Sequence, residues 1–440
     1  MQSKSAVVIG AGLAGCEAAY QLARFGIDVT LYESKPHYTS PAHHSDGLAE
    51  LVCSNSLRAD GTANAVGLLK QEMRDIGSLI MEAADFSKVP AGGALAVDRN
   101  QFSEYITQKI SQNVHINVTR EEVTTLPEGG IIVVSPGPLC SGPLAQSISK
   151  TIGSDMLSFF DAASPIVTAE SIDMDKAFYA SRYGKGGDDY INCAMSEEQY
   201  RAFYEALTGA ETVQMKGFED GKVFEGCMPV ETMGRRGYQT LTFGPLKPKG
   251  IRDPKTDKMP YAVVQLRRED REGRLWGLVG FQTHLKFGEQ KRVFSMIPGL
   301  ENAEFARYGV MHRNTYIKSP GLLNENYELK HRPGTFFAGQ ITGVEGYIES
   351  ASSGMLAGLF AAHDVLGKPR PVFSADTACG ALAKYVSGYV GGDFQPMNIT
   401  FGIMNTIKMK ARKKERRLAI SKRALEEIGR IKAQLNPLSF

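Results

Sequence analysis

The stretch Ala6-Val7-Val8-Ile9-Gly10-Ala11-Gly12-Leu13-Ala14-Gly15 decides the fold. Its four apolar residues, three of them β-branched, read as a buried parallel strand that runs directly into a glycine-rich turn. An apolar-periodic helix follows from about Cys16 to Phe25, then a second strand from Asp28 to Tyr32 that ends at Glu33. Each glycine has a task in this arrangement. Gly10 permits the tight turn, Gly12 lets the backbone of Ala11, Leu13 and Ala14 approach a pyrophosphate at the helix N-terminus, and Gly15 lets helix and strand pack closely. Glu33 stands where an acid binds a ribose hydroxyl and would repel a 2′-phosphate. A lone glycine pattern is weak evidence, but here the strand, the helix and the acid are all in place.

Composition sets the bounds. With 440 residues, 50 Lys and Arg against 48 Asp and Glu, the chain has room for two or three domains and carries almost no net charge. No apolar run is long enough to span a bilayer and the N-terminus leads straight into the first strand, so a cytoplasmic enzyme is expected. The six cysteines (16, 53, 140, 193, 227 and 379) are scattered without a CxxC pair, which points to neither a zinc site nor a disulfide framework. His43 and His44 lack ligand spacing to an acid or another histidine, and no metal is expected.

Farther along, the nucleotide-binding pattern breaks off and resumes. Asn100 to Ile110 reads as a helix, His115 to Val118 as a strand, and Gly130 to Gly137 as a strand ending in a turn. From about Asp155 to Asn324, short β-like runs such as Tyr261 to Gln265 and Leu275 to Val279 alternate with charged and Gly/Pro-rich turns. Thr335 to Thr342 then reads as a strand and turn, and Ile348 to Leu366 as a long helix rich in small residues, opening after Gly343 to Gly346. The fold class is therefore α/β: a Rossmann-like FAD-binding domain interrupted by an inserted sheet-rich α+β domain. The expected boundaries are 1–154, 155–324 for the insertion, and 325–440 with a basic helical tail.

Two cysteines stand in polar, small-residue contexts, Cys53 in Glu50-Leu51-Val52-Cys53-Ser54-Asn55-Ser56-Leu57-Arg58 and Cys227 in Phe224-Glu225-Gly226-Cys227. Beside a flavin site they suggest thiol chemistry, although cysteines also simply pack. Activation of a thiol calls for a cation, and Arg58, Arg235 and Arg236 are candidates. The most basic run is Lys408 to Arg417, in which Lys413, Lys414, Arg416 and Arg417 are candidates for contact with nucleic-acid phosphates; a solvated helix is the alternative. Arg267, Arg268, Arg271 and the segment from Lys286 to Arg292 are further candidates.

Taken in order, the glycine motif, the Cys53 and Cys227 segments, Thr242-Phe243-Gly244-Pro245-Leu246-Lys247-Pro248, Gly280-Phe281-Gln282-Thr283 and Ala338-Gly339-Gln340-Ile341-Thr342-Gly343-Val344-Glu345-Gly346-Tyr347 closely resemble the bacterial folate- and FAD-dependent tRNA (uracil-5-)-methyltransferases, a GidA-related flavoprotein family. The resemblance runs over nearly the whole chain. It implies FAD, 5,10-methylenetetrahydrofolate as carbon donor, NADPH or NADH as reductant, and 5-methyluridine at position 54 of the tRNA T-arm as product. It also implies Cys227 as nucleophile, Cys53 as a second thiol, and Gly339, Gln340 and Ile341 along the flavin ring. Tyr347 either stacks on the flavin or pterin or belongs to the core. Other readings left open are a GidA-like wobble-uridine modifier, a ribosomal RNA uridine methyltransferase of the same chemistry, and a non-catalytic RNA-binding flavoprotein.

Overall fold

The computed structural model describes residues 4–435 except 41, 185–186, 215–227, 391–393 and 410. Five short strands form a parallel sheet in the spatial order Thr335–Phe337, Ile132–Val134, Ser5–Ile9, Asp28–Glu33, Ile116–Arg120. Val8, Ile9, Leu31, Val133, Val134, Phe336 and Phe337 are all buried, as expected of strands covered on both faces. The helix Leu13–Ala23 makes the first crossover. It begins three residues before the expected Cys16 because Gly12 is already its N-cap. The long helix Tyr347–Val365 lies against it. Side chains at Gly354 and Gly358 would collide with the backbone of Ala14 and Ala18, so the two helices touch backbone to backbone only because these positions lack a Cβ.

The strand Thr335–Phe337 pairs in parallel with Ile132–Val134 although the insertion separates them in sequence. The intervening chain leaves and returns through an antiparallel ribbon, Leu157–Ala162 with Met311–Tyr316. Between them lies a six-stranded sheet in the order Ala177–Tyr179, Tyr190–Met195, Ala262–Arg268, Leu275–Leu278, Ile166–Thr168, Phe305–Arg307. A second core of Tyr200, Phe203, Trp276, Phe281 and Phe294 packs with it. The helix Glu197–Thr208 belongs to this core and starts with a capping box between Ser196 and Gln199.

The segment 56–97, for which the sequence suggested no elements, folds as the helices Ala65–Ile76 and Leu79–Phe86 with a three-stranded antiparallel sheet. Buried carboxylates tie these helices to the rest. Glu17 accepts hydrogen bonds from Ser78 Oγ at 2.7 Å and Ile80 N at 2.9 Å. Glu72 accepts from Ala378 N at 2.6 Å and Cys379 N at 2.9 Å, occupying the N-terminus of the helix Ala378–Gly388. The C-terminal helix Lys413–Gln434 packs on Ala65–Ile76 and buries Ile420, Ala424, Ile428 and Ile431. Among the described residues, no helix is long and apolar enough to cross a membrane.

Candidate functional site

A cleft of about 1150 Å³, counted to its open mouth, lies at the C-terminal ends of the parallel strands. That is where open α/β sheets bind ligands. Gly10, Ala11, Gly12, Leu13, Ala14 and Glu33 line one part, while Gly339, Gln340 and Tyr347 from the resumed half line another. Ser135 to Ser141, at the end of the strand Ile132–Val134, complete the wall.

The three glycines of the turn divide their work as the motif requires. Gly10 has φ +95°, and a side chain there would strike the Ser135 carbonyl; one at Gly15 would overlap the Gly10 carbonyl. Gly12 differs, since a Cβ there meets no protein atom within 4 Å and projects into open space. The protein's own packing therefore does not require a glycine there, and the position leaves the cleft open to a ligand. Glu33 is only 6% exposed and accepts the Lys35 backbone N–H at 2.9 Å. The turn, the helix N-terminus and this carboxylate fit a dinucleotide with free ribose hydroxyls. Gly15 and Ile341 do not line the cleft. Gly15 is a packing position, and the Ile341 side chain is fully buried while its carbonyl accepts Ile317 N at 2.8 Å.

Several cleft residues were not singled out in the sequence. Lys35, 4% exposed, lines the cleft and donates to the carbonyls of Ser45 at 2.9 Å and Gly47 at 2.6 Å, which ties segment 45–47 to the cleft wall. The Glu50 carboxylate receives the N–H of His44 at 2.8 Å and of Ser45 at 3.2 Å. His43 faces the cleft and pairs with Ser40 Oγ at 2.7 Å. Lys35 stands two residues beyond Glu33, which is the one local signal that marks it.

Tyr347 joins the cleft to the first cysteine. Its hydroxyl accepts the backbone N–H of Cys53 at 2.7 Å and of Ser54 at 3.2 Å, while the residue lines the cleft. Burial pushes the phenol well above its ordinary pKa, so the hydroxyl stays neutral. Three arginines hold the same loop. Arg99 donates to the Leu51 carbonyl at 2.8 Å, Arg307 to the Cys53 carbonyl at 3.0 Å, and Arg267 to Ser54 Oγ and Asn55 Oδ1, each at 2.9 Å. Burial opposes the charge on Arg99, but Glu269 at 3.0 Å overcomes it and holds the guanidinium above its ordinary pKa. Arg307 is pushed down by burial and then by neighbouring Arg99.

Arg58, expected beside Cys53, instead pairs with the buried Glu349. Arg99, Arg267 and Arg307, brought from distant elements, are the cations that hold the Cys53 loop. Arg267, Arg268 and Arg271, expected along an RNA path, have structural partners. Arg267 grips the Cys53 loop, Arg268 lies over Trp276, and Arg271 reaches the Phe86 carbonyl at 2.8 Å.

Cys227 lies outside the described residues; its downstream flank is firmly anchored. Val230 N donates to the Gln282 carbonyl at 2.7 Å, and buried Glu231 accepts Thr283 Oγ1 at 2.8 Å and His284 N at 2.9 Å. Thus the Gly280 to Thr283 motif fastens the chain just beyond Cys227. Arg235, proposed to activate that thiol, donates to the Thr208 carbonyl at 3.3 Å. Lys413, Lys414 and Arg416 lie exposed in the first turn of the C-terminal helix, and Arg417 packs over Phe401. Among the described residues, no cluster of His, Cys, Asp or Glu is arranged to hold a metal ion.

The glucose inhibited division protein A family model matches residues 5–369. Among solved structures, Aquifex aeolicus GidA in two crystal forms superposes with TM-scores of 0.70 and 0.68 at 17% identity, with 98% of this chain covered and 73% and 76% of those chains. At that identity the likeness concerns the fold. Sequence relatives are much nearer. The methylenetetrahydrofolate--tRNA-(uracil-5-)-methyltransferase TrmFO of Acetivibrio thermocellus is 61% identical over 410 residues, covering 93% of this chain and 94% of that protein. The TrmFO proteins of Desulfitobacterium hafniense and Listeria monocytogenes are each 57% identical, over 97% and 98% of this chain and 98% and 100% of theirs. With a flavin-type cleft, a cysteine loop tied to it and full-length identity of this order, the chain belongs to the TrmFO family within the GidA-related flavoproteins.

Proposed function

We propose that this chain is an FAD-dependent methylenetetrahydrofolate–tRNA (uracil-5-)-methyltransferase that forms 5-methyluridine at position 54 of the T-loop, with NADPH or NADH as reductant. The observation that carries the reading is Tyr347, which lines the flavin cleft and hydrogen-bonds the Cys53 loop. That contact supports a cofactor and a thiol working at one place. Gly10 to Ala14 and Glu33 would hold the nucleotide end of FAD, and Gly339, Gln340 and Tyr347 its ring end. When bound, the reduced flavin and the folate supply the hydride and the one-carbon unit.

The protein's own part is to make uracil C5 reactive. That carbon is a poor nucleophile until a thiolate adds at C6, which turns the ring into an enolate with electron density at C5. After C5 has taken the carbon unit it loses its proton, and elimination of the thiolate restores the aromatic ring. Cys227 is the proposed nucleophile and Cys53 the assisting thiol, with Arg99 and Arg307 holding its loop through backbone carbonyls. The N–H bonds from Cys53 and Ser54 to Tyr347 keep that loop in register with the cleft.

Two measurements test this. In a strain lacking the gene, mass spectrometry of tRNA should show loss of T-loop 5-methyluridine; an altered wobble base or unchanged tRNA would overturn the assignment. In vitro, Cys227→Ala should lower methylation on the order of 1,000-fold or more and abolish covalent trapping of a 5-fluorouracil-substituted T-arm. An adduct that persists in this variant would move the nucleophile elsewhere, with Cys53 the first alternative.

A further inference from the structure

The motif Thr242 to Pro248 takes no part in the flavin cleft, yet its shape is specific. The helix Val230–Arg235 starts just beyond Cys227 and is followed by the single turn Thr240–Phe243. Leu241 and Leu246 are fully buried on either side, which fixes this turn to the core of the insertion. Phe243 between them is 77% exposed. The backbone beyond it is held as well. Arg182 donates to the carbonyls of Lys247 at 2.6 Å and Lys249 at 3.0 Å, and the Tyr183 ring lies against Gly250.

Positive charge is concentrated in the chain on either side of this aromatic residue. Between residues 235 and 258 stand Arg235, Arg236, Lys247, Lys249, Arg252, Lys255 and Lys258 against only Asp253 and Asp257. Arg252 is within 3.5 Å of Asp257, whereas among the described residues no carboxylate pairs with the exposed Arg236, Lys247 or Lys249. The segment from Lys286 to Arg292 contrasts with it, since Lys286 pairs with Glu211 at 2.5 Å and Arg292 with Glu289 at 2.6 Å. The cations on either side of Phe243 in the chain are thus less compensated than those of the segment from Lys286 to Arg292.

Its position can be measured along one strand. The Leu246 carbonyl accepts Val263 N at 3.0 Å near one end of Ala262–Arg268, and Arg267 at the other end grips Ser54 and Asn55. Four residues of strand span about 13 Å, a gap that one RNA loop bridges. The turn thus follows the Cys227 segment in sequence and is tied to the Cys53 loop through one strand.

We infer that Phe243 is a stacking residue for an unpaired base of the RNA substrate and that Arg236, Lys247 and Lys249 take the phosphates beside it. The inference rests on the RNA-methylation reading above and names the surface that reading needs. Drawing a uridine out of its loop breaks base stacking, and an aromatic ring on a fixed turn offsets that loss. Cations on either side hold the backbone without reading sequence.

The test uses the full-length FAD-loaded enzyme and a fluorescent T-arm hairpin, with affinity read by anisotropy at several salt concentrations. Phe243→Ala should weaken binding roughly 5- to 150-fold, and Phe243→Trp should restore it to within about threefold of wild type. The triple variant Arg236→Glu, Lys247→Glu, Lys249→Glu should weaken binding and flatten its salt dependence. Flavin absorbance and the melting temperature show that each variant is folded. Wild-type binding with no loss in Phe243→Ala, or an equal loss in Phe243→Ala and Phe243→Trp, overturns the stacking role alone. A wild-type enzyme that binds no hairpin removes the methylation reading and this one with it.

Discussion

Gly12 is the residue at which protein packing and ligand binding separate. Gly10 and Gly15 are required by the protein's own backbone, so a substitution at either injures the fold before it injures binding. A side chain at Gly12 would meet only the open cleft. Gly12→Leu should therefore leave the melting temperature of the flavin-free protein within a degree or two while weakening FAD affinity roughly 10- to 100-fold. That loss corresponds to one charge-assisted hydrogen bond or somewhat more to the pyrophosphate. Flavin titration of the stripped variant beside wild type checks it. Unaltered affinity would place the pyrophosphate elsewhere. The same residue scale shows a limit of sequence reading: Arg58 closes the motif that contains Cys53 but commits its charge to Glu349, while Arg99 and Arg307 from distant segments hold the Cys53 loop.

Among the elements, the two ends of the C-terminal helix have different tasks. Its later turns bury Ile420, Ala424, Ile428 and Ile431 and anchor it to Ala65–Ile76. Its first turns carry Lys413, Lys414, Arg416 and Arg417, at the end where the helix dipole disfavours cations. Only Glu415 offsets them there, through its bond to the Arg412 N–H at 3.1 Å. A phosphate backbone is the counter-charge that this arrangement suits. Converting the four basic residues together to Gln should weaken tRNA binding and reduce the slope of log K against log salt by roughly 0.7 to 0.9 per lost phosphate contact, with FAD content unchanged. Isotherms at several salt concentrations decide the matter. Parallel slopes would leave the helix end as a solvated surface and the RNA contacts to the Phe243 region.

At the scale of the whole molecule, a buried carboxylate joins distant parts of the chain. Glu72 links the helix Ala65–Ile76 to the N-terminus of Ala378–Gly388, and burial raises its pKa from 4.5 to about 7 despite the two N–H bonds it accepts. The folded-state value lies above the unfolded one, so its contribution to stability is fully present below about pH 4.5 and is lost as pH rises through about 7. Glu72→Gln removes that titration but keeps a carbonyl acceptor for one N–H. The difference in melting temperature between variant and wild type should therefore shift in the variant's favour by several degrees from pH 5 to pH 8, as read by thermal melts across that range. A pH-independent difference would show that Glu72 is ionised throughout.

The N-terminal strand, turn, helix and Glu33 were legible because every contact that defines them is local: β-branched residues, glycines at fixed offsets and an apolar helical period all lie within residues 6–33. The return of the chain to the same sheet was legible too, from Thr335 to Phe337 and the small-residue helix that follows. Hidden from a linear reading was whatever depends on contact between remote segments. The helices of 56–97 take their place through buried pairings across the chain, Glu17 accepting from Ser78 and Ile80, and Glu72 of the helix Ala65–Ile76 accepting from Ala378 and Cys379. The Cys53 loop takes its electrostatic setting from residues 99, 267, 269, 307 and 347, which only the packing of the inserted sheet against the flavin domain assembles. The sequence by itself determined the strand, glycine turn and helix at the N-terminus, since backbone geometry there is written in neighbouring residues. The tertiary structure alone decided which charges surround the thiol, because side-chain charges act through space and the chain brings them together only when it is folded.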